Sequence, residues 1–362
     1  MRDRVLILTE GYDAHAYAVC LGLQQKGGNP VLWHTVDFPV HAVESIWLNG
    51  AGVCLSVQGD RIDLADQAFR SVWRRRPSHI LDPRLHPADR DFVQAECRSF
   101  RQSLFSLLAP DGFWVNPQVA AMLASRKPIQ SRLAQSVGLT IPETLYTNDP
   151  KAVRSLMGRH GGQVVFKVLT GVSWSEREAS WSPYTTLVRE EDLVEDFLLQ
   201  AAPGIYQELV AKDFELRVTV MGEHVFAAKI RSQETVEGKL DWRRAYDELL
   251  MEPYRLPSDI ADLCRTLLRK LGLVFGCLDF IVTPAGKYVF LEVNEMGQFL
   301  FLERYTSLPL LDAFCELLLQ GRADFDWHED KATVRYQDVE PEIESFARTR
   351  ARGGEHQAEA GS

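Results

Sequence analysis

The sequence predicts an α/β architecture, and three observations predict it. A continuous apolar run, "RVLILTE" (4–10), leads into "DAHAYAVCLGLQQKGG", whose apolar residues recur at helical spacing, and then into a second apolar run, "PVLWHTVD" (30–37). That is a β-α-β opening with the texture of buried parallel strands. Two later stretches, "FELRVTVMGEHVFAAKI" and "FGCLDFIVTPAGKYVFLEV", read as hairpins turning at 221–224 and 284–286. Finally, 362 residues of which 46% are hydrophobic suffice for two or three packed domains.

The opening unit reads as an open α/β domain to about residue 115. It carries no GxGxxG, so nothing supports a dinucleotide site there. Asn116-Pro117 marks a turn, a helix carries Arg126 and Lys127, a helix ends at Gly138, and Pro142 opens an extended segment. "QVVFKVL" (163–169) is a strand with one lysine on it. "TGVSWSEREASWSPY" is polar, the kind of loop that carries function. "EEDLVEDFLLQ" reads as an amphipathic helix, as do "SDIADLCRTLLRKLGL" between the hairpins and "PLLDAFCELLLQG" after them. From about Trp327 the chain is charged and Gly-rich, and 326–362 is expected to be a disordered tail.

Forty basic against fifty acidic residues give a net charge of −10 and a pI near 5.5, which argues against broad nucleic-acid binding. Six cysteines without CxxC spacing, most among apolar neighbours, suggest a reducing cytoplasm with neither a disulfide framework nor a zinc site. The first apolar run is too short for a signal peptide or a membrane span, so no membrane association is expected.

The chemistry concentrates at "LEVNEMGQ". Period-2 geometry places Glu292 and Asn294 on one strand face, and a turn near Ala285 brings Asp279 almost opposite Glu292. Three hard oxygen donors then converge at one end of a sheet, a set suited to Mg²⁺ together with phosphates and water. Read alone, the trio is equally a charged edge or a capped strand end. Lys229 and Arg231 alternate on one hairpin face. With Arg217, Arg243 and Arg244 they would form a basic cluster suited to acidic side chains, or else a solvated face paired with Glu215 and Glu223.

The order Lys127, Lys167, "QELV" (207–210), Arg217, Asp279, Glu292, Asn294 resembles the ATP-grasp ligases, over roughly residues 115–320. "PYTTLVREEDL", "YQELVAKDFELRVTVMGEHVFAAKIRSQ" followed by "DWRR", and "GQFLFLERYTSLPLLDAF" look like one branch, the microviridin-type peptide macrocyclases or graspetide synthetases. The resemblance implies an N-terminal domain (1–115), a central subdomain (116–200) and a C-terminal subdomain (201–325) that clasp ATP. It implies phosphate contacts from Lys127 and Lys167. Adenine would lie against Glu208, through its carboxylate or backbone carbonyl, and Val210, and the ribose against Asp213 or Glu215. Arg217 would face the γ-phosphate, and Asp279, Glu292 and Asn294 would hold Mg²⁺. Loop 170–182 would be a lid, although Gly171 is its one glycine, and "NEMGQ" lacks the proline that many relatives carry after the Asn.

The implied reaction phosphorylates an Asp or Glu side chain of a ribosomal precursor peptide and joins it to Ser, Thr or Lys as an ω-ester or ω-amide. Arg231, Lys229 and Arg243 would hold the reacting acid beside Arg217 at the γ-phosphate, and the hairpin 214–231 with a nearby helix would dock a leader segment. A homodimer is left open by the same resemblance. The competing expectations are a ligase adding a free amino acid and a non-catalytic nucleotide-dependent peptide binder.

Overall fold

The computed structural model describes residues 4–345 apart from 12, 51, 60, 61, 66–68, 172, 173, 177, 178, 182, 183, 246 and 247. The apolar runs of the opening unit form β1 (Arg4–Thr9) and β2 (Asn29–His34), joined by α1 (Ala14–Gln25). Asp13 caps α1 by accepting from the His15 and Ala16 N–H groups. An antiparallel meander follows, β3 (Ala42–Asn49), β4 (Gly52–Gly59) and β5 (Ile62–Ala65), which the sequence reading did not anticipate. The chain then returns as β6 (Ser71–Arg74), crosses through α2 (Arg90–Leu107) and adds β7 (Phe113–Val115), giving a parallel sheet in the order β2-β1-β6-β7.

Asn116 fastens this unit to the rest. Its buried side chain accepts from the Val274 and Phe275 N–H groups and donates to the Phe275 and Glu295 carbonyls, all within 2.9 Å. Then come α3 (Gln118–Ala124) and α4 (Lys127–Ser136). The expected helix begins at Lys127, the first residue of α4, with Pro128 in the first turn, and Arg126 lies just outside it as the N-cap.

The central region contains β8 (Thr144–Thr147), α5 (Pro150–Arg159), β9 (Val164–Lys167), the small hairpin β10 (Trp174–Glu176) and β11 (Ala179–Trp181), β12 (Thr186–Leu187), α6 (Asp196–Ala201) and β13 (Gly204–Glu208). Its sheet runs β12-β9-β13-β8. The last region is built on β14 (Phe214–Met221), β15 (His224–Ile230), β16 (Met251–Pro253), α7 (Ser258–Leu271), β17 (Phe275–Val282) and β18 (Tyr288–Asn294), with sheet order β16-β15-β14-β17-β18. Both expected hairpins are present. The first turns at Gly222, where φ is +55° and a Cβ would lie 1.9 Å from the Ala323 carbonyl oxygen, so only glycine fits.

One face of this five-stranded sheet is apolar, with Leu216, Val218, Leu278, Phe280 and Phe290 packed against α7. The opposite face carries Glu215, Arg217, Asp279 and Glu292. A β-bulge makes that separation possible. Phe280 pairs with Phe290 but Asp279 pairs with Glu292, so Leu291 is an extra residue in the ladder. It lets Phe290 face the core while Glu292 and Asn294, of the same sequence parity, face away from it. The free edge of β18 is also closed: the Gln130 amide both donates to and accepts from the Val293 backbone, between the two residues expected to bind metal.

After β18 come α8 (Leu300–Thr306) and α9 (Leu310–Gln320). The expected disordered tail is a correction: residues 326–345 are folded, and Val334, Val339 and Ile343 are buried. Asp312 on α9 accepts from the Thr333 and Val334 N–H groups and the Trp327 indole, and it pairs with Lys26, the C-cap of α1, at 2.8 Å. Composition misled here because a few apolar residues at helical spacing, Val339 and Ile343, suffice to anchor a charged segment. Residues 346–362 lie outside the described residues.

Candidate active site

Between the central and last sheets lies a cleft of about 430 Å³. Ten of the side chains expected from the sequence line it, spread between residues 127 and 294: Lys127, Lys167, Glu208, Val210, Glu215, Arg217, Arg243, Asp279, Glu292 and Asn294.

Lys167 ends β9, and its ammonium donates to Gln207 Oε1 at 2.8 Å. Gln207 in turn donates to Thr144 Oγ1, so three adjacent strands hold this lysine. Burial lowers the Lys167 pKa, and Lys127 adds to the shift while Glu292 opposes it. Lys127 reaches Glu292 Oε2 at 2.7 Å. Burial works to raise Glu292, but Lys127 beside it, with Lys167 and Arg243, holds its carboxyl below the usual range.

Arg217 stands opposite Asp279 in the β14–β17 ladder and donates to both of its carboxylate oxygens at 2.9 Å. Its other terminal nitrogen donates to the Gln298 carbonyl. Asp279 raises the arginine further against the cost of burial. Gly297 matters here through close approach. A Cβ on it would lie 2.6 Å from Cys277 Cβ and 2.8 Å from Arg217 Nη2, so a side chain would displace the guanidinium. Asn294 Oδ1 accepts from the Met296 N–H and thereby shapes the same turn.

At the nucleotide end, Glu208 Oε1 already accepts from the Glu143 N–H at 3.0 Å. Of the two ribose candidates, Glu215 lines the cleft and Asp213 does not: Asp213 is exposed, and its N–H donates to the Val282 carbonyl. Glu215 is paired with Lys212 at 2.7 Å. Burial raises the Glu215 carboxyl, which Lys212 opposes.

Arg243 borders the cleft from the "DWRR" segment. Asp241 accepts from its Nε at 2.8 Å and from the Thr185 N–H at 3.1 Å, tying that segment to the chain leaving loop 170–182. The arginine holds Asp241 at about 2 against burial. Arg244 lies over the Tyr184 ring, 5.1 Å from its centroid. Within the loop, positions 172, 173, 177, 178 and 182 lie outside the described residues.

Lys229 and Arg231 are corrections. They share a face, as alternation required, but it is the other face of the sheet from Arg217. Lys229 pairs in register with core-facing Leu216, sits 4.5 Å from the Phe214 ring centroid and reaches Glu252. Arg231 pairs with Glu234 and Glu252. Neither lines the cleft, and the expected basic cluster does not form around Arg217. The proposed partners differ too, since Glu215 pairs with Lys212 and Glu223 with Arg269.

Sequence reasoning missed Arg76, which brings the N-terminal unit into the cleft lining, and the supports Gln207, Lys212 and Asp241. The last three flank recognised positions within "QELV", "KDFELR" and "DWRR". Arg76 carries no local signal.

The donor chemistry fits a hard divalent cation. Asp279 and Glu292 are adjacent carboxylates, Asn294 adds an amide oxygen from the same strand face, and Mg²⁺ needs few protein ligands where phosphates supply the rest. Among the described residues no group of three or more His, Cys, Asp or Glu is placed to hold a metal.

No protein-family model and no curated protein sequence matches the chain. Solved structures do. The chain is similar to the macrocyclase MdnC from Microcystis aeruginosa MRC, bound with precursor peptide MdnA, at 28% identity and a TM-score of 0.78, covering 88% of this chain and 99% of that one. It is similar to a Chryseobacterium gregarium RiPP-associated ATP-grasp ligase in complex with ADP and a leader and core peptide, at 25% identity and a TM-score of 0.79 over 88% and 97%. It is also similar to the ATP-grasp ligase PsnB complexed with minimal precursor, Mg and ADP, at 26% identity and a TM-score of 0.68 over 89% and 97%. The chain thus has the ATP-grasp fold. Among the described residues, no helix is long and apolar enough to cross a membrane.

Proposed function

We propose that this ATP-grasp ligase activates an Asp or Glu side chain of a ribosomal precursor peptide with ATP and closes ω-ester or ω-amide macrocycles, in the cytoplasm. The observation that carries the reading is the convergence in one cleft of two lysines, Arg217 and the Asp279–Glu292–Asn294 trio. Neighbours of the same fold, complexed with precursor peptides and ADP, support it.

Lys127 and Lys167 bind the phosphates of ATP. Glu208 presents its backbone carbonyl to the base, beside Val210, because its carboxylate is engaged elsewhere, and Glu215 rather than Asp213 faces the ribose. Asp279, Glu292 and Asn294 would hold Mg²⁺, which supplies charge neutralisation on the transferring phosphoryl group. A substrate carboxylate oxygen attacks the γ-phosphorus and ADP departs. Arg217, fixed by Asp279 and the Gln298 carbonyl, faces the charge that develops. The acyl phosphate is then attacked at carbon by a hydroxyl or amine of the same peptide, which loses its proton as phosphate leaves. Arg243 and Arg76 flank the acid being activated. Closure of the 170–182 loop excludes water, which would otherwise hydrolyse the acyl phosphate.

The test is mass spectrometry of a precursor encoded beside the gene, incubated with enzyme, ATP and Mg²⁺. A loss of about 18 Da per link, one water each, is expected. A gain equal to an amino-acid residue would favour the free amino-acid ligase, and ATP binding without any product would favour the non-catalytic binder.

A further inference from the structure

We propose that the N-terminal unit carries a second anion site, a cavity of about 230 Å³ that takes a carboxylate of the peptide other than the one being phosphorylated. The peptide as source of that carboxylate rests on the function proposed above. The cavity is lined by Arg74 from the end of β6, His79 from the following loop, Arg98 and Arg101 from α2, and Gln118 from α3.

Its donors are unfinished. Arg101 is 4% exposed and held from behind, its Nη1 donating to the Thr35 and Ser78 carbonyls at 2.7 Å each. Its Nη2 lies 3.0 Å from Glu44, but its Nε has no partner. Arg74 Nε and His79 Nε2 are likewise buried atoms without a partner. Buried donors rarely go unsatisfied, and the two guanidinium Nε atoms beside one cavity mark a place where an acceptor fits, with the unpartnered Gln118 Oε1 and the tautomer-dependent His79 Nε2 as further polar atoms of the same lining. Arg98 stands exposed at the mouth.

The charge count selects the ligand. Arg74, Arg98 and Arg101 line the cavity, Glu44 pairs with Arg101 beside it, and Glu295 acts on Arg74. Burial pushes Glu44 up to about 7 despite Arg101, so it is only partly ionised near neutrality. The balance is one positive charge or slightly more. That suits a singly charged carboxylate, whose two oxygens match a guanidinium edge, better than a phosphate dianion.

Position links the cavity to the reaction. Residues 74–79 form the wall between the two spaces: Arg76 lines the ATP cleft, while Arg74, Pro77, Ser78 and His79 line the cavity. Arg74 also touches Met296, two residues beyond Asn294. A peptide with one acid in the cleft therefore has the cavity as a neighbouring stop for another.

His79 is the reporter. Burial lowers its pKa, and Arg101 and Arg98 lower it further; an anion beside it would raise it. Full-length enzyme saturated with Mg²⁺ and a non-hydrolysable ATP analogue is titrated with N-acetylglutamate N-methylamide or with inorganic phosphate. The imidazole signals are followed by NMR, with His79→Gln identifying the resonance. The expected result is a saturable shift of the His79 signal and a raised pKa with the glutamate derivative, and weaker binding of phosphate. Arg98→Ala should reduce affinity for the derivative about tenfold, as loss of a charged hydrogen-bond partner does. No response of His79, tighter binding of phosphate, or an equal response in Arg98→Ala would overturn the site. Because the readout needs no turnover, it separates this inference from the macrocyclisation reading. A responding His79 in a protein that makes no cyclic product would leave the site standing and the function wrong.

Discussion

The ATP cleft and the N-terminal cavity are both lined by arginines near acids, yet they are balanced differently. In the cleft three of the cations each have an acid, Lys127 with Glu292, Arg217 with Asp279 and Arg243 with Asp241, while Lys167 donates to the Gln207 amide. Glu292 and Asp241 are held below their usual ranges by these partners. Beside the cavity Glu44, the partner of Arg101, is pushed up to about 7, and polar atoms of Arg74 and His79 are left without partners. The cleft is thus a set of exchangeable pairs. Phosphate replaces the acids around the cations, a divalent cation replaces the lysine and arginine around the acids, and the total changes little. In the cavity Glu44 answers Arg101 alone, and Arg74 Nε and Arg101 Nε keep no partner.

That contrast can be broken most decisively at Glu292. Glu292→Gln keeps the shape of the cleft, removes one ligand charge and leaves Lys127 without its mate. Product formation should fall by about 10³-fold while the protein stays folded, as loss of transition-state charge stabilisation does. Near-normal product formation at ordinary Mg²⁺, followed by mass spectrometry, would remove the pairs from the chemistry.

The next effect is on stability and belongs to the cavity. Glu44 has a folded pKa near 7 against an ordinary 4.5, so the native state holds its proton more tightly. Its contribution is fully present below about 4.5 and is lost as pH rises through 7, a change of roughly 3 kcal/mol. Urea unfolding from pH 4.5 to 8 should show that decline in the wild type and a flatter profile in Glu44→Gln. A parallel decline in both would mean that Arg101 keeps Glu44 ionised and that the cavity is balanced like the cleft.

Lys167→Ala should weaken ATP by roughly 10- to 100-fold through a lost charged hydrogen bond and peptide much less. Equal ATP affinity by calorimetry would show that Gln207, rather than phosphate, is the permanent partner of this lysine. The smallest effect sharpens the placement of the outer arginines. Arg231→Ala, at an exposed pair, should change turnover less than about twofold, whereas Arg243→Ala should lower it visibly. Equal losses would return Arg231 to the site.

The residues that could be read from the sequence are those whose type conflicts with their surroundings. A lysine inside "VVFKVL" and an acid and amide inside "FLEVN" announce themselves, because burial of such groups needs a partner. What stayed hidden depends on relations between strands. Alternation put Lys229 and Arg231 together, but only the β14–β15 register says which side of the sheet they occupy. The cavity draws on residues 74, 79, 98 and 101, which come from β6, the following loop and α2 with no shared motif. The closure of the β18 edge by Gln130 spans 163 positions in the chain.

The extra residue in β18 also governs which length changes this hairpin can absorb. The side a residue faces is a two-valued quantity, and Leu291 is a phase slip between a segment tuned to the core and one tuned to the cleft. Excising Leu291 would straighten the ladder and still leave Phe290 inward and Glu292 and Asn294 outward. Adding one residue between Glu292 and Asn294 would separate the carboxylate from the amide by a half-period and turn one of them into the core. The segment is therefore expected to tolerate the loss of Leu291 and to lose its function when one residue is added just beyond it.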